Sequence, residues 1–249
     1  MAAMIVGTRV VVYLPGVASG SQPFSQIDDF DVQFRELVAY IENDHRPRQF
    51  AQVDLSTYRK VSQYTDIDSS PAGYGKNACG PVAAAAALGG DDWVPLVAVI
   101  VKAAGEHYQP TTGIQPAYYA VALQQVFGAA NVRSIDQGTL GDLYRELADG
   151  NVVIVDVKVN DVQKAPSPQP PNLAHFARVL GIDVDRRVIY LENTLRGDAY
   201  WTISVSDFWG AWQRPETSAS IILDRRHAEE VTRWAVVISG ELVPAKRTG

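Results

Sequence analysis

The 249-residue sequence contains one cysteine and four histidines. A single cysteine excludes an intrachain disulfide framework and a multi-cysteine zinc site, which leaves either an inert buried hydrophobe or a reactive thiol. No two histidines stand at metal-ligand spacing, and there is no Gly-x-Ser-x-Gly nucleophile elbow. No apolar run approaches the roughly 18 residues of a membrane helix, so no membrane-spanning segment is expected and the chain reads as soluble. Positive charge is scarce as well: 22 Lys and Arg against 28 Asp and Glu give a formal net charge of -6. A nucleic-acid binder needs a basic stripe to neutralise phosphates, whereas the pairs Arg186-Arg187, Arg225-Arg226 and Lys246-Arg247 read as solvated surface. No nucleic-acid partner is expected.

What remains is the composition of an ordinary globular protein, 47% hydrophobic and 20% charged, on a chain long enough to bury a substantial core. Residues 10–13, Val-Val-Val-Tyr, predict a strand; Arg9 splits the apolar stretch that would otherwise suggest a signal peptide, and the compartment stays open. Apolar residues at Phe30, Phe34, Leu37, Val38 and Ile41 predict an amphipathic helix. A polar segment over 46–60 and a turn-rich loop over 66–77 follow. Further helices are expected over 92–104, 116–127 and 140–148, the last closed by Asp149-Gly150. The second half changes to β-branched runs over 152–159, 175–182, 187–191, 200–205, 220–223 and 234–239, which read as strands. The stretch 164–171 holds four prolines in eight positions and must be loop. Helices followed by antiparallel strands give an α+β order rather than the alternation of a doubly wound sheet.

The cysteine sits at a distinctive place. Cys79-Gly80-Pro81-Val82 leads into five consecutive alanines, the best helix former, and Gly89-Gly90 stops the run. A helix starting at Gly80 or Pro81 would aim its N-terminal amide dipoles at Cys79 and favour the thiolate, which is the nucleophilic form. Pro81 suits the first helical turn, and Gly80 lets a substrate approach the backbone. The Cys79 backbone amide is also placed to serve in an oxyanion hole.

The run Asn77-Ala78-Cys79-Gly80-Pro81 followed by a small-residue helix resembles the nucleophile motif of papain-like cysteine peptidases of the double-glycine, bacteriocin-leader type. Gln63, in Val61-Ser62-Gln63-Tyr64, is similar to the family's oxyanion glutamine, and His175, opening His175-Phe176-Ala177-Arg178-Val179, to its catalytic histidine. Asn193, in Glu192-Asn193-Thr194, stands where the family has the residue that orients the histidine. Many double-glycine relatives carry Asp-Pro there, so Asn-Thr is a departure, and Asp183 competes for the role. The similarity runs from about Val61 to Leu223, with residues 1–60 outside it as an N-terminal extension and 61–249 forming the catalytic domain.

The resemblance implies a papain-like fold and a thiol hydrolase acting on a peptide or related amide, with Cys79 as nucleophile, His175 as base, Asn193 orienting it and Gln63 holding the oxyanion. This route needs no cofactor and no metal. The alternative is a papain-like module that binds peptide or cell-wall material without catalysis. Other signals fall away: Gly75-Lys76 lacks the upstream glycine of a phosphate loop, and Asp66, Asp68 and Ser70 lack the glycine and distal glutamate of a calcium loop.

Overall fold

The computed structural model describes residues 2–6, 9–13, 26–56, 58, 60–63, 77–158, 174–195, 199–213 and 233–243. The expected strands over 220–223 and the loops over 66–76 and 164–171 lie outside these residues.

The chain opens with a hairpin, β1 (Ala2–Val6) and β2 (Arg9–Tyr13), followed by α1 (Gln26–Asn43) and a three-residue strand β3 (Gln49–Ala51). Then come α2 (Cys79–Leu88), α3 (Trp93–Ala104), a small hairpin of β4 (Tyr108–Gln109) and β5 (Gly113–Ile114), and α4 (Pro116–Phe127). The short strand β6 (Val132–Ile135) and helix α5 (Leu140–Ala148) precede β7 (Val152–Lys158), β8 (Ala174–Asp183), β9 (Val188–Glu192) and β10 (Tyr200–Ser204). Helix α6 (Val205–Gln213) and β11 (Ala235–Ile238) complete the order.

Seven of these strands form one antiparallel sheet in the order β10-β9-β8-β7-β11-β6, with β3 added beside β8. Strand β8 is the axis. Its first half pairs with β7 through Val157 to His175 and Val155 to Ala177, and its second half pairs with β9 on one edge and β3 on the other. Helices cover both faces, which makes the architecture α+β.

Alternation along the strands sorts two apolar clusters. Val153, Val155, Val157, Ala177, Val179 and Leu191 face α1, α5 and α6. Val152, Ile154, Phe176, Val236 and Ile238 face α2, α3 and α4. Such period-two sorting is what a sheet buried on both faces requires. Helix α1 contributes Phe34, Leu37 and Ile41, the i, i+3, i+7 stripe read in the sequence, to the first cluster. Helix α2 is buried nearly all round, and its alanines let it lie close to both β8 and α3.

Several expectations change. Helix α2 starts at Cys79, one residue before the expected start. Gly89 keeps a helical φ of -85°, while Gly90 takes the left-handed φ of 56° that breaks the run. The polar segment over 46–60 contains β3, and the helical first half contains β4, β5 and β6. Each is only two to four residues long, too short for alternation to show.

Candidate active site

Helix α2 sets Cys79 at its first position, partly buried at the end of an otherwise buried helix. Ala78 offers no capping side chain and the first turn holds no acid, so neither the cap nor the first turn of the helix offsets its positive end. Gly80 packs tightly: a β-carbon there would lie 3.0 Å from the Phe176 ring and 3.3 Å from that of Tyr119. The Tyr119 hydroxyl donates to the Gly80 carbonyl at 2.6 Å, fixing the turn that carries the cysteine. Burial first, then the negative charges of Cys79 and Glu192, push the Tyr119 phenol well up, so it stays a neutral donor.

Gln63 is tied to the segment that follows β9. Its backbone N–H donates to the Thr194 carbonyl at 2.9 Å, and the Thr194 hydroxyl donates to Gln63 Oε1 at 2.8 Å. Both side chains are buried, at 2% and 0% exposure. Val61, two residues earlier, packs on the same apolar cluster as Cys79.

His175 lies on the other side of β8 from Phe176, as strand alternation demands, paired with Val157 and meeting the Trp201 ring edge-on at 5.6 Å. It is 1% exposed, and its Nε2 has no hydrogen-bond partner among the described residues. Burial lowers its pKa from 6.5 to about 3, so the imidazole is neutral at physiological pH. Among the described residues no hydrogen bond joins His175 to Cys79.

Asn193 is buried one residue past β9, and its Oδ1 accepts from the Leu195 N–H at 3.0 Å, closing an Asx turn. Alternation past Leu191 places Asn193 on the His175 side. Asp183 is at the far end of β8, eight residues or roughly 26 Å along the strand from His175. It accepts from the Arg186 N–H at 2.9 Å in the β8–β9 turn. That position removes Asp183 from contact with the imidazole.

Two charged residues that the motif reading left aside lie on the α2 side. Val179 pairs with Leu191, so Arg178 and Glu192 are cross-strand neighbours on the opposite face. Tyr58 donates to Glu192 Oε1, while Glu192 Oε2 and Arg178 Nε have no partners among the described residues. Burial raises the Glu192 carboxyl against the opposing pull of Arg178 and Tyr58, and raises the Tyr58 phenol too. Opposite charges at interior positions of two neighbouring apolar strands were the sequence signal for this pair. His107, in contrast, stacks on Tyr118 at 3.7 Å and lies away from these residues in a surface position.

No group of three or more His, Cys, Asp or Glu side chains among the described residues is placed to hold a metal ion. Nor is any helix among them long and apolar enough to cross a membrane. No family model matches the sequence, and no curated protein matches it. Among solved structures, one described as a C39-like peptidase from Bacillus anthracis is similar over 76% of this chain and 96% of that chain, with 12% identity and a TM-score of 0.48.

Proposed function

We propose that this chain is a papain-like thiol hydrolase that cleaves a peptide or related amide bond through Cys79. The observation that carries the reading is the position of Cys79: a partly buried thiol at the first residue of a buried helix whose first turn holds no acid. In this mechanism Cys79 Sγ attacks the amide carbonyl carbon while its proton passes to the neutral His175 imidazole, which must first swing round the start of β8 from the face it shares with Val157 to the α2 face that holds Cys79. The C–N bond then breaks, the amine takes that proton, and a thioester remains. Water attacks the thioester, the acid leaves, and the thiol is restored. Gln63 and the Cys79 backbone amide hold the oxyanion, and Asn193 orients His175. No cofactor enters the sequence of steps.

A second reading, a papain-like module that binds peptide or cell-wall material without turnover, is favoured by one specific feature. An imidazole with a pKa of about 3 is a weak base, and His175 rests on the face of β8 away from the α2 side that holds Cys79, with no hydrogen bond to Cys79 or Asn193 among the described residues.

The pH dependence of iodoacetamide alkylation separates the two, because the lone cysteine makes the adduct unambiguous by mass spectrometry. The hydrolase is expected to alkylate well below the ordinary thiol pKa of about 8.5 and to lose that low-pH reactivity in His175→Ala. An ordinary titration that ignores the histidine substitution leaves the binding module.

A further inference from the structure

We infer that Thr194 is a positioning residue that sets which end of the Gln63 amide serves the Cys79 site; the role rests on the hydrolase reading given above. A glutamine amide has one accepting and one donating end of nearly the same shape, and only its neighbours decide which points where. Here the Thr194 hydroxyl donates to Gln63 Oε1 at 2.8 Å, and the adjoining backbone bond, Gln63 N–H to Thr194 carbonyl at 2.9 Å, holds the two residues side by side. Both groups are excluded from water, so no solvent competes for the oxygen. The Nε2 end is therefore turned away from Thr194. An oxyanion site needs a donor; the reversed amide would present a carbonyl oxygen to the developing negative charge.

This also gives a physical meaning to the Asn193-Thr194 pair, where many of the double-glycine peptidases that the sequence resembles carry Asp-Pro. A proline in the second position has no hydroxyl and could not make the bond. In this chain the residue after the histidine-orienting position carries a second duty.

Two reactions of the same thiol test the assignment. Alkylation by iodoacetamide displaces iodide at a saturated carbon and builds no oxyanion. Acylation by p-nitrophenyl acetate forms the Sγ–carbonyl bond through a tetrahedral oxyanion and expels p-nitrophenolate. Thr194→Val is expected to slow acylation about tenfold, the worth of one transition-state hydrogen bond, with the alkylation rate unchanged. Thr194→Ser should restore acylation, and Thr194→Val added to Gln63→Ala should cost nothing further.

Normal acylation in Thr194→Val, with Gln63→Ala slow, overturns the role of Thr194 and leaves the hydrolase intact. Equal loss of both reactions in Thr194→Val shows a merely structural residue and also overturns it. A wild-type thiol no faster than free cysteine in either reaction overturns the hydrolase reading itself, and the positioning role with it.

Discussion

Tyr58 and Glu192 are joined by a hydrogen bond that spans 134 residues of sequence and ties the segment leading to Gln63 onto the end of β9. The carboxylate is fully buried, with Arg178 beside it and its second oxygen unpartnered among the described residues. Burying charge at such a place is costly, and persists only where surrounding donors offset it. Tyr58 is one of those donors, and it lies in a stretch whose sequence reads as featureless and polar.

Tyr58→Phe is expected to lower stability by about 1–3 kcal/mol, the cost of leaving a buried acceptor unmade. The effect should depend on pH with a definite sign. A carboxyl raised by burial stabilises the folded state while protonated, and that contribution is lost as pH rises through the raised value. Losing the Tyr58 donor raises the carboxyl further, so the deficit should widen toward alkaline pH. Urea unfolding of wild type, Tyr58→Phe and Glu192→Gln across pH checks this. A constant deficit, or a pH slope that survives in Glu192→Gln, would show that the carboxylate is not the source.

His175 should shape the acid limb of stability. Its folded pKa of about 3 lies below the ordinary 6.5, so the unfolded chain binds the extra proton first. Stability then falls as pH drops below about 6.5, with a slope of up to about 1.4 kcal/mol per pH unit, until the folded value is reached. His175→Gln should flatten that limb whatever it does to stability at neutral pH. An unchanged slope in the variant would mean that the imidazole is solvated or charged in the folded protein.

The N-terminal extension should be needed for folding. At Gly181 a β-carbon would lie 2.8 Å from the Ala51 α-carbon, showing how closely β3 is pressed against β8, and the Gln52 N–H donates to the Leu180 carbonyl at 2.8 Å. Helix α1 adds Phe34, Leu37 and Ile41 to the cluster beneath β7–β9. A chain lacking residues 1–60 is therefore expected to lose cooperative thermal unfolding. If these residues act instead as a removable pro-segment over the cleft, the shortened chain would unfold cooperatively and react faster at Cys79.

How much of this was legible in the sequence depended on how local the signal was. Helix α4 occupies the expected span because Pro116 opens it, and α5 because Asp149-Gly150 closes it; the Thr139–Asp142 capping box at its start is likewise a short-range device. Strands β3 and β6 escaped because three or four residues carry no usable period, and both exist by pairing with β8 and β11. At the candidate site, Cys79 stood out through its neighbours on the chain. The side of β8 taken by His175 could not be read from its motif, since it depends on which face α2 packs against. The Tyr58–Glu192 and Thr194–Gln63 bonds likewise join residues more than a hundred positions apart, which no local pattern encodes.

The packing of the α2 start against β8 offers a further test at the cysteine itself. Gly80 leaves little room for a side chain, since a methyl group there would press on Phe176 at 3.0 Å and on Tyr119 at 3.3 Å, and Tyr119 is tied to the Gly80 carbonyl. Tyr119 cannot yield without losing its hydrogen bond, so Phe176 is the neighbour that must move. Gly80→Ala is expected to cost about 1–3 kcal/mol by overpacking. Phe176→Leu alone removes ring contacts and should also destabilise, but the double variant should be less unstable than the sum of the two, because the smaller side chain vacates the space that the methyl needs. Thermal unfolding of the four proteins gives the coupling directly. Simple additivity would mean that the turn at Cys79 relieves the clash by shifting its own backbone, away from the ring and toward the solvent side of the helix end.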